Sequence, residues 1–469
     1  MASLTVDLAL APAAADAFVD IASLAPLCRL TGGDLEHVPG FGASGGSAVD
    51  TGAARVGAFV RRAVCDAAVG SEGVLRVRTS PGLQVSRLVT GAGDPEVNVV
   101  NAPSIHADTT VAVELTHAAE SKDGKDNGRA AGVPGERAFV QSALLYTHGD
   151  GSRRIRVSTR PLRVVREAAV LVRAVHPPTL AALQAKLACD DLARVAAKQV
   201  ADTVEGACAL TILAMRELCP TPLRRTADEM ILTRPLELLP LLTLATLRLP
   251  PLAAPSPNGL GGPTPDAAAI AALRVLAMPA HLLCRMLVPR VSAIHLRDAG
   301  DGWVPTDAPK PPAPPESAAG SAEGDGANAT AADDTAAAAA AATAPPACRE
   351  LPMARGVEIS PAGVYLLDSA TELLLWVGQQ AAPSFLNAVF GTATPRDGAP
   401  PLASGTSDEA TKLHALIDAA RDERPGLHPP LRVVIQGSPE QGAFFSRLVA
   451  DGYEPFVMNL HGTRVQPKL

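Results

Sequence analysis

The alternation of apolar and polar positions divides the chain into segments of different structural type. Residues Ser3 to Ala9 alternate and predict a strand, and Pro12 to Arg29 has the Ala/Leu-rich pattern of a helix that ends at Thr31-Gly32-Gly33. A lone strand and helix cannot cover both faces of a sheet. We therefore interpret residues 1–49 as the C-terminal remnant of an α/β domain.

Residues 50–168 have a different texture, because short β-prone runs alternate with Gly, Asp and Asn turns. This spacing predicts an antiparallel β-sandwich. The polar stretch Ser121 to Glu136 predicts a hairpin tip or a disordered insertion. The predicted strands are Val74 to Thr79, Val97 to Val100, Thr110 to Leu115, Phe139 to Tyr146 and Arg154 to Arg160.

Residues 169–297 predict a helical domain. Within Pro178 to Cys219, apolar side chains recur at intervals of three to five residues, beginning with Leu180, Leu183 and Leu187. Residues 298–348 are rich in proline and alanine and lack a hydrophobic pattern, so they predict a disordered linker.

Residues 349–469 predict a small α/β domain with a sheet covered by helices. Val357 to Val377 indicates two strands with a turn between them, and Leu431 to Gln436 indicates a later strand. Helices are predicted at Pro383 to Phe390, Ser407 to Arg424 and Pro439 to Asp451. The whole chain is thus predicted to be an α+β multidomain protein.

Charge and cysteine usage limit the function classes. The chain of 469 residues has 41 basic and 48 acidic side chains, a net charge of −7, which argues against a nucleic-acid partner bound through bulk positive charge. The seven cysteines include no C-x-x-C pair, which favours reduced thiols in a cytosolic protein. No secretory signal is evident, and Leu236 to Ala254 is interrupted by proline and charge, so any membrane contact is expected to be peripheral.

A search for catalytic chemistry yields one motif. Gly42-Ala43-Ser44-Gly45-Gly46 fits the G-x-S-x-G elbow of hydrolases, but no strong strand precedes Ser44, which favours a surface loop. The ten histidines are scattered, and no acid/base, nucleophilic or metal-ligating constellation is found. The sequence therefore indicates no catalytic site, no metal site and no cofactor.

Two basic clusters remain. Strand alternation places Arg76 and Arg78 on one face and Val77 on the other, so that two guanidinium groups can make forked contacts with carboxylates. A solvated sheet face or a structural ion pair is the alternative interpretation. The second cluster, Arg153-Arg154-Ile155-Arg156, indicates either a solvated hairpin shoulder or a surface for acidic lipid or protein.

Five segments together resemble the cargo-adaptor subunit of the COPII inner coat, the Sec24 family. They lie in the family's order of trunk end, β-sandwich, helical domain and gelsolin-like domain. QSALLYT at Gln141 to Thr147 and LWVG at Leu375 to Gly378 resemble the adaptor more than its sister subunit of the Sec23 type. The segments are Val19 to Phe41, Val74 to Leu83, Phe139 to Thr159, Val288 to Leu296 and Gly363 to Gly378.

The resemblance implies a nonenzymatic coat component that selects cargo for transport from the endoplasmic reticulum to the Golgi. The implied partners are the Sec23-type subunit, the small GTPase Sar, and the cytosolic tails of cargo receptors and fusion proteins. The implied location is cytoplasmic, peripheral on the endoplasmic reticulum membrane and on coated vesicles. Arg76 and Arg78 align with arginines that bind acidic sorting signals, and residues 1–49 become the end of a von Willebrand A-like trunk.

Departures from the family keep a second interpretation open. The zinc-finger domain and most of the trunk are absent, and alanine and serine replace a common glycine turn at Ser369-Ala370. The chain is either an N-terminally truncated fragment or gene model, or a divergent protein that has lost coat assembly. The alternative function is a free-standing gelsolin-like binding or scaffolding protein.

Overall fold

A computed structural model describes residues 4–42, 52–64, 70–122, 125–130, 135–218, 234–253, 263–294, 348–351, 353–399, 401–424, 427–454 and 456. Separate hydrophobic cores lie in a β-sandwich, in a helical layer and on both faces of a C-terminal sheet. The fold is α+β and multidomain, as the sequence predicts.

The N-terminal unit is a short strand–helix–strand motif. Strand β1 (Leu8–Leu10) pairs in parallel with β2 (Leu35–His37), and helix α1 (Ile21–Thr31) connects them. The helix begins later than predicted, because Asp20 adopts a left-handed conformation with φ 55°. It ends at Gly32, where φ is 74° and where a Cβ would lie 2.9 Å from the backbone of Ser104. Glycine is therefore required both by the turn and by the close approach of the sandwich.

The sandwich has one large and one small sheet. The large sheet has the order β11-β10-β3-β6-β5, and the small sheet pairs β4 with β7. Helix α2 (Gly52–Val64) precedes the sandwich, although the sequence indicated a β-rich texture there. The strands are β3 (Gly70–Thr79), β4 (Leu83–Thr90), β5 (Asp94–Pro95), β6 (Val99–Ile105), β7 (Val111–His117), β8 (Ala119–Lys122), β9 (Lys125–Ala130), β10 (Arg137–His148) and β11 (Arg153–Arg163).

Two features of the sandwich were open or missed at the sequence level. Strand β4 was not predicted, although Val85 and Leu88 of this strand are buried in the sandwich core against Val77. The polar stretch at 121–136 contributes to the hairpin of β8 and β9, which agrees with the predicted hairpin tip.

The helical layer consists of α3 (Ala168–Arg173), α4 (Pro177–Asp191), α5 (Ala197–Leu218), α6 (Leu239–Leu247), α7 (Pro265–Ala277) and α8 (Ala280–Leu287). The leucine stripe predicted for α4 is not its buried stripe, since Leu180 is exposed whereas Ala181 and Ala185 are fully buried. Alanine occupies this face because α6, α7 and α8 all pack against α4. A small side chain lets neighbouring helices approach closely. The spacing of apolar residues alone does not predict this close packing.

The C-terminal sheet has the order β13-β12-β14-β15-β16. Helices α9 (Pro383–Phe390) and α10 (Asp408–Asp422) cover one face, and the short helix α11 (Gln441–Phe445) lies on the other. The helix at 383–390 has the predicted bounds, whereas the helix predicted for 439–451 is shorter. The strands are β12 (Arg290–Ala293), β13 (Arg349–Leu351), β14 (Val364–Asp368), β15 (Leu373–Val377) and β16 (Leu431–Ile435).

Strand β12 comes from the range predicted for the helical domain, yet it pairs with β14 of the C-terminal sheet. Just before β12, a buried charge cluster joins the two regions. Asp368 accepts hydrogen bonds from Arg424 at 2.5 Å and from Arg285 at 3.2 Å. Because both Asp368 and Arg424 are buried, the pair is shielded from water.

Two sequence-level predictions lie outside the described residues, namely the Ser44 elbow and the body of the 298–348 linker. Within the part of the chain that the structure describes, no helix combines the length and the apolar character needed to cross a bilayer.

Candidate functional site: the open face of the sandwich

The outer face of the large sandwich sheet carries the arginines singled out in the sequence. Arg76 and Arg78 lie in β3 and are exposed, whereas Val77 between them is 2% exposed and faces the core. The predicted alternation is therefore correct. Among the described residues, neither guanidinium group has an ion-pair or hydrogen-bond partner, so the interpretation as a structural ion pair loses its support.

Strand register places polar and small residues next to these arginines. Arg78 lies opposite Gln141 of β10, which in turn lies opposite Thr159 of β11. The amide Nε2 of Gln141 donates to Oγ1 of Thr159 at 3.1 Å, which shows that this row shares the outer face. Arg76 lies opposite Ala143, so a small side chain leaves room beside its guanidinium group.

Large apolar side chains complete this surface, which the sequence analysis did not identify. Ile155 is 66% exposed and Val157 is 53% exposed, although both are β-branched residues of the kind that sheets usually cover. We call this surface the open face. It consists of Arg76, Arg78, Phe139, Leu145, Ile155 and Val157.

The second basic cluster separates into paired and unpaired members. Nη1 of Arg153 lies 3.3 Å from Oε2 of Glu72, and Arg154 pairs with Asp150. Two hydrogen bonds from Ser152 to Asp150 are the main reason why the pKa of that carboxyl lies well below its usual value, and Arg154 lowers it further. Arg156 has no side-chain partner among the residues that the structure describes. The cluster is thus partly a hairpin shoulder and partly an unoccupied cationic surface.

A cavity of about 120 Å³ lies between the N-terminal unit, the sandwich and α7, and several arginines line it. There Arg62 contacts Asp34 at 2.6 Å and Asp108 at 3.0 Å. Burial alone would lower the pKa of Arg62, but the two carboxylates raise it above its usual value. Arg274 likewise pairs with Glu36. These two paired cations hold three segments of the chain together.

The open face has the chemistry of a surface that binds carboxylates. Two unpaired guanidinium groups offer forked N–H donors, and the apolar neighbours offer contact area for a hydrophobic side chain. Within the described ranges, no group of three or more His, Cys, Asp or Glu residues is arranged to hold a metal ion.

Comparison with known proteins gives matches to Sec23/Sec24 proteins. Residues 70–165 match the Sec23/Sec24 beta-sandwich domain family. The chain is 25% identical to protein transport protein SEC24 A of Arabidopsis thaliana over 95% of its length, and 26% identical to Sec24C of Homo sapiens over 97%. The chain is thus similar to Sec24 proteins over nearly its whole length. The resemblance seen in the sequence is thereby confirmed.

The fold of this chain agrees with that of a solved structure. The crystal structure of the human COPII-coat protein Sec24c aligns with a TM-score of 0.73 and 23% identity, and the alignment covers 98% of this chain and 51% of that one. The chain spans little more than a third of the two curated relatives, 38% and 36% of their lengths. The predicted fold class, an α+β multidomain fold that includes a β-sandwich, is confirmed.

The sequence analysis missed the apolar part of the open face for an identifiable reason. Ile155 and Val157 alternate with Arg154 and Arg156, and such alternation normally indicates that the apolar set faces the core. Register reverses this assignment, because Ile155 pairs with Leu145, which is itself on the outer face. The signal that could have revealed the inversion is Val77, whose neighbours on both sides are arginines.

Proposed function

We propose that this chain is a cargo-selecting component of the COPII coat that binds acidic sorting signals on cytosolic tails through Arg76 and Arg78. The observation that carries the proposal is the pair of unpartnered arginines on an exposed sheet face inside the region that matches the Sec23/Sec24 domain. Two exposed, unpaired guanidinium groups reduce neither stability nor solubility. The N–H donors of both groups remain available to carboxylates.

The proposed partners follow from the family. They are a Sec23-type sister subunit, a Sar-type small GTPase and the tails of cargo receptors and fusion proteins. The proposed location is the cytoplasmic side of the endoplasmic reticulum membrane and its coated vesicles, as a peripheral protein. In this role the chain acts by binding and has no catalytic step.

The test is binding of a fluorescent peptide that carries two carboxylates and one leucine, compared with the same peptide bearing asparagine and glutamine. Charge reversal at Arg76→Glu and Arg78→Glu should weaken binding at least tenfold, because hydrogen bonds to charged groups contribute about 1.5–3 kcal/mol each. Arg61→Glu on helix α2 is the matched control, since Arg61 is also exposed but lies off the open face. Equal affinities of the two variants would remove the arginines from the site.

Replacement by lysine sharpens the same test. Arg76→Lys with Arg78→Lys keeps the charge but loses the planar fork, so affinity should fall between that of the native chain and that of the glutamate variant. If the lysine variant binds as well as the native chain, the surface attracts carboxylates through charge alone.

The alternative of a free-standing gelsolin-like protein gains no support from the packing. The C-terminal sheet includes β12 from before residue 295, and Arg285 of the helical layer contacts Asp368. An actin cosedimentation assay should therefore use the whole chain, because residues 349–469 alone lack β12. Saturable cosedimentation would favour the alternative.

A further inference from the structure

Strand β11 forms an open edge of the large sandwich sheet. Its only neighbour among the described strands is β10, and all eleven residues of Arg153–Arg163 are exposed. Proteins usually shorten, twist or cover such edges, because unpaired N–H and C=O groups can template pairing with another chain. An edge of this length therefore requires an explanation.

The backbone hydrogen bonds at the two ends of the β10–β11 pair show which N–H and C=O groups of β11 do not bond to β10. The N–H of His148 donates to the carbonyl oxygen of Ser152 at 2.9 Å, and the N–H of Val164 donates to that of Glu136 at 2.9 Å. Since antiparallel bonds involve every second residue, the even-numbered residues bond to β10 and the odd-numbered residues point outward. The outward positions are Arg153, Ile155, Val157, Thr159 and Pro161.

Pro161 limits the free stretch. At an outward position, the missing N–H of proline removes no bond to β10, which is why proline is tolerated at a sheet edge. Pairing with an added strand would end there. The stretch from Arg153 to Thr159 remains, with four outward N–H donors and four outward carbonyl acceptors.

The two faces of this edge have opposite chemistry. Ile155 and Val157 lie on the outer side, and Arg156 and Arg160 lie on the other side. Neither Arg156 nor Arg160 has a side-chain partner within the described part of the chain. A complementary strand would therefore present apolar residues on one side and carboxylates on the other.

Protection against pairing does not explain this arrangement. Charges and proline do protect edges, but two large β-branched residues stand at the very positions whose backbone groups are free. Pairing with a second copy of this chain is disfavoured, because it would place arginines of one edge against arginines of the other. The edge suits a partner with negative charge.

We propose that the free edge of β11 binds an extended segment of a partner polypeptide, in which acidic and apolar residues alternate, as a sixth strand of the sheet. Backbone bonds to Arg153 through Thr159 would provide affinity, and Arg156 and Arg160 would select the acidic positions. This goes beyond the proposed function, which involves side chains of β3 and needs no strand pairing.

The experiment uses the full chain and a fluorescent nine-residue peptide that alternates glutamate and valine, measured by anisotropy. A peptide of the same composition, with glutamates and valines in two blocks, is the control. The alternating peptide should bind at least tenfold more tightly. N-methylation of one alternate set of its amides should abolish binding, and N-methylation of the other set should preserve it.

Variants then separate this edge from the open-face arginines. Arg156→Gln with Arg160→Gln should weaken binding of the alternating peptide about tenfold, and Arg61→Gln, an exposed arginine on α2, should leave it within twofold. Arg76→Glu with Arg78→Glu tests the proposed function separately, with the acidic-signal peptide. Equal binding of the alternating and blocked peptides, or of the two N-methylated peptides, would overturn the edge proposal and leave the acidic-signal result untouched.

Discussion

The C-terminal sheet and the large sandwich sheet are both five-stranded, yet the first is covered on both faces and the second has an exposed face and an exposed edge. In β14 and β15 every residue is buried, because helices cover one face and aromatic residues of α11 cover the other. In β11 every residue is exposed. A sheet that is covered on both faces contributes stability and position, whereas a sheet with an open face and an open edge is available for binding. We therefore expect mutations to affect folding in the first and recognition in the second.

The largest expected effect is at the buried charge cluster of the C-terminal sheet. Asp368→Asn leaves Arg424, which is 1% exposed, without its counter-charge and should lower the free energy of unfolding by about 3–5 kcal/mol. Urea unfolding followed by Trp376 fluorescence, in a Trp303→Phe background, reports on this sheet. Glu440→Gln, which breaks an exposed pair with Arg432, is the control and should cost less than about 1 kcal/mol. Equal losses would contradict the distinction.

Truncation of one apolar side chain in each sheet tests the same contrast. Leu374→Ala in β15 removes a fully buried side chain and should cost about 2–5 kcal/mol. Ile155→Ala in β11 removes a side chain that is 66% exposed and should change stability by less than about 0.5 kcal/mol. Thermal unfolding followed by circular dichroism measures both. A large loss for Ile155→Ala would mean that the open face is covered in solution.

Lys186 in the helical layer between the sheets should make the free energy of unfolding depend on pH. Burial lowers the pKa of Lys186 to about 8, and its ammonium group donates to the carbonyl oxygens of Val275 and Leu276. Because the unfolded chain binds this proton more tightly, the free energy of unfolding, relative to that of Lys186→Met, should rise by about 1–3 kcal/mol from pH 8 to about 10.5. Denaturant titrations at several pH values check this, with Lys198→Met at an exposed lysine as control. A flat difference would contradict it.

The smallest effect is expected at the exposed ion pairs of the sandwich. Arg153→Gln breaks the contact with Glu72, but both side chains are about half exposed, so stability should fall by less than about 1 kcal/mol. Urea unfolding at low and high salt measures the loss. If the loss exceeds that of Asp368→Asn, the division of roles between the two sheets fails.

Much of the fold could be predicted from the sequence because its elements are locally encoded. The helix at Pro383–Phe390 has a proline in its first turn and Gly391 after its end, and its predicted bounds are those observed. The facing of Arg76 and Arg78 also followed from strand periodicity.

The parts that were missed depend on long-range pairing. Nothing near Arg290 indicates that β12 belongs to a sheet whose next strand begins at Arg349. The exposure of Ile155 and Val157 follows from the register with β10 and from the absence of a cover among the described residues, neither of which is local information. In α4 the buried alanines were overlooked because leucine dominates apolar periodicity.

Ala293 of β12 pairs with Arg349 of β13, although the two residues are 56 positions apart in the sequence. Both ends of the intervening stretch are therefore fixed in adjacent strands, and the entropy of closing such a loop grows only with the logarithm of its length. Lengthening or shortening this stretch should be nearly neutral for folding. Moreover, a cut within it would leave two fragments that share one sheet, because β12 pairs with both β13 and β14.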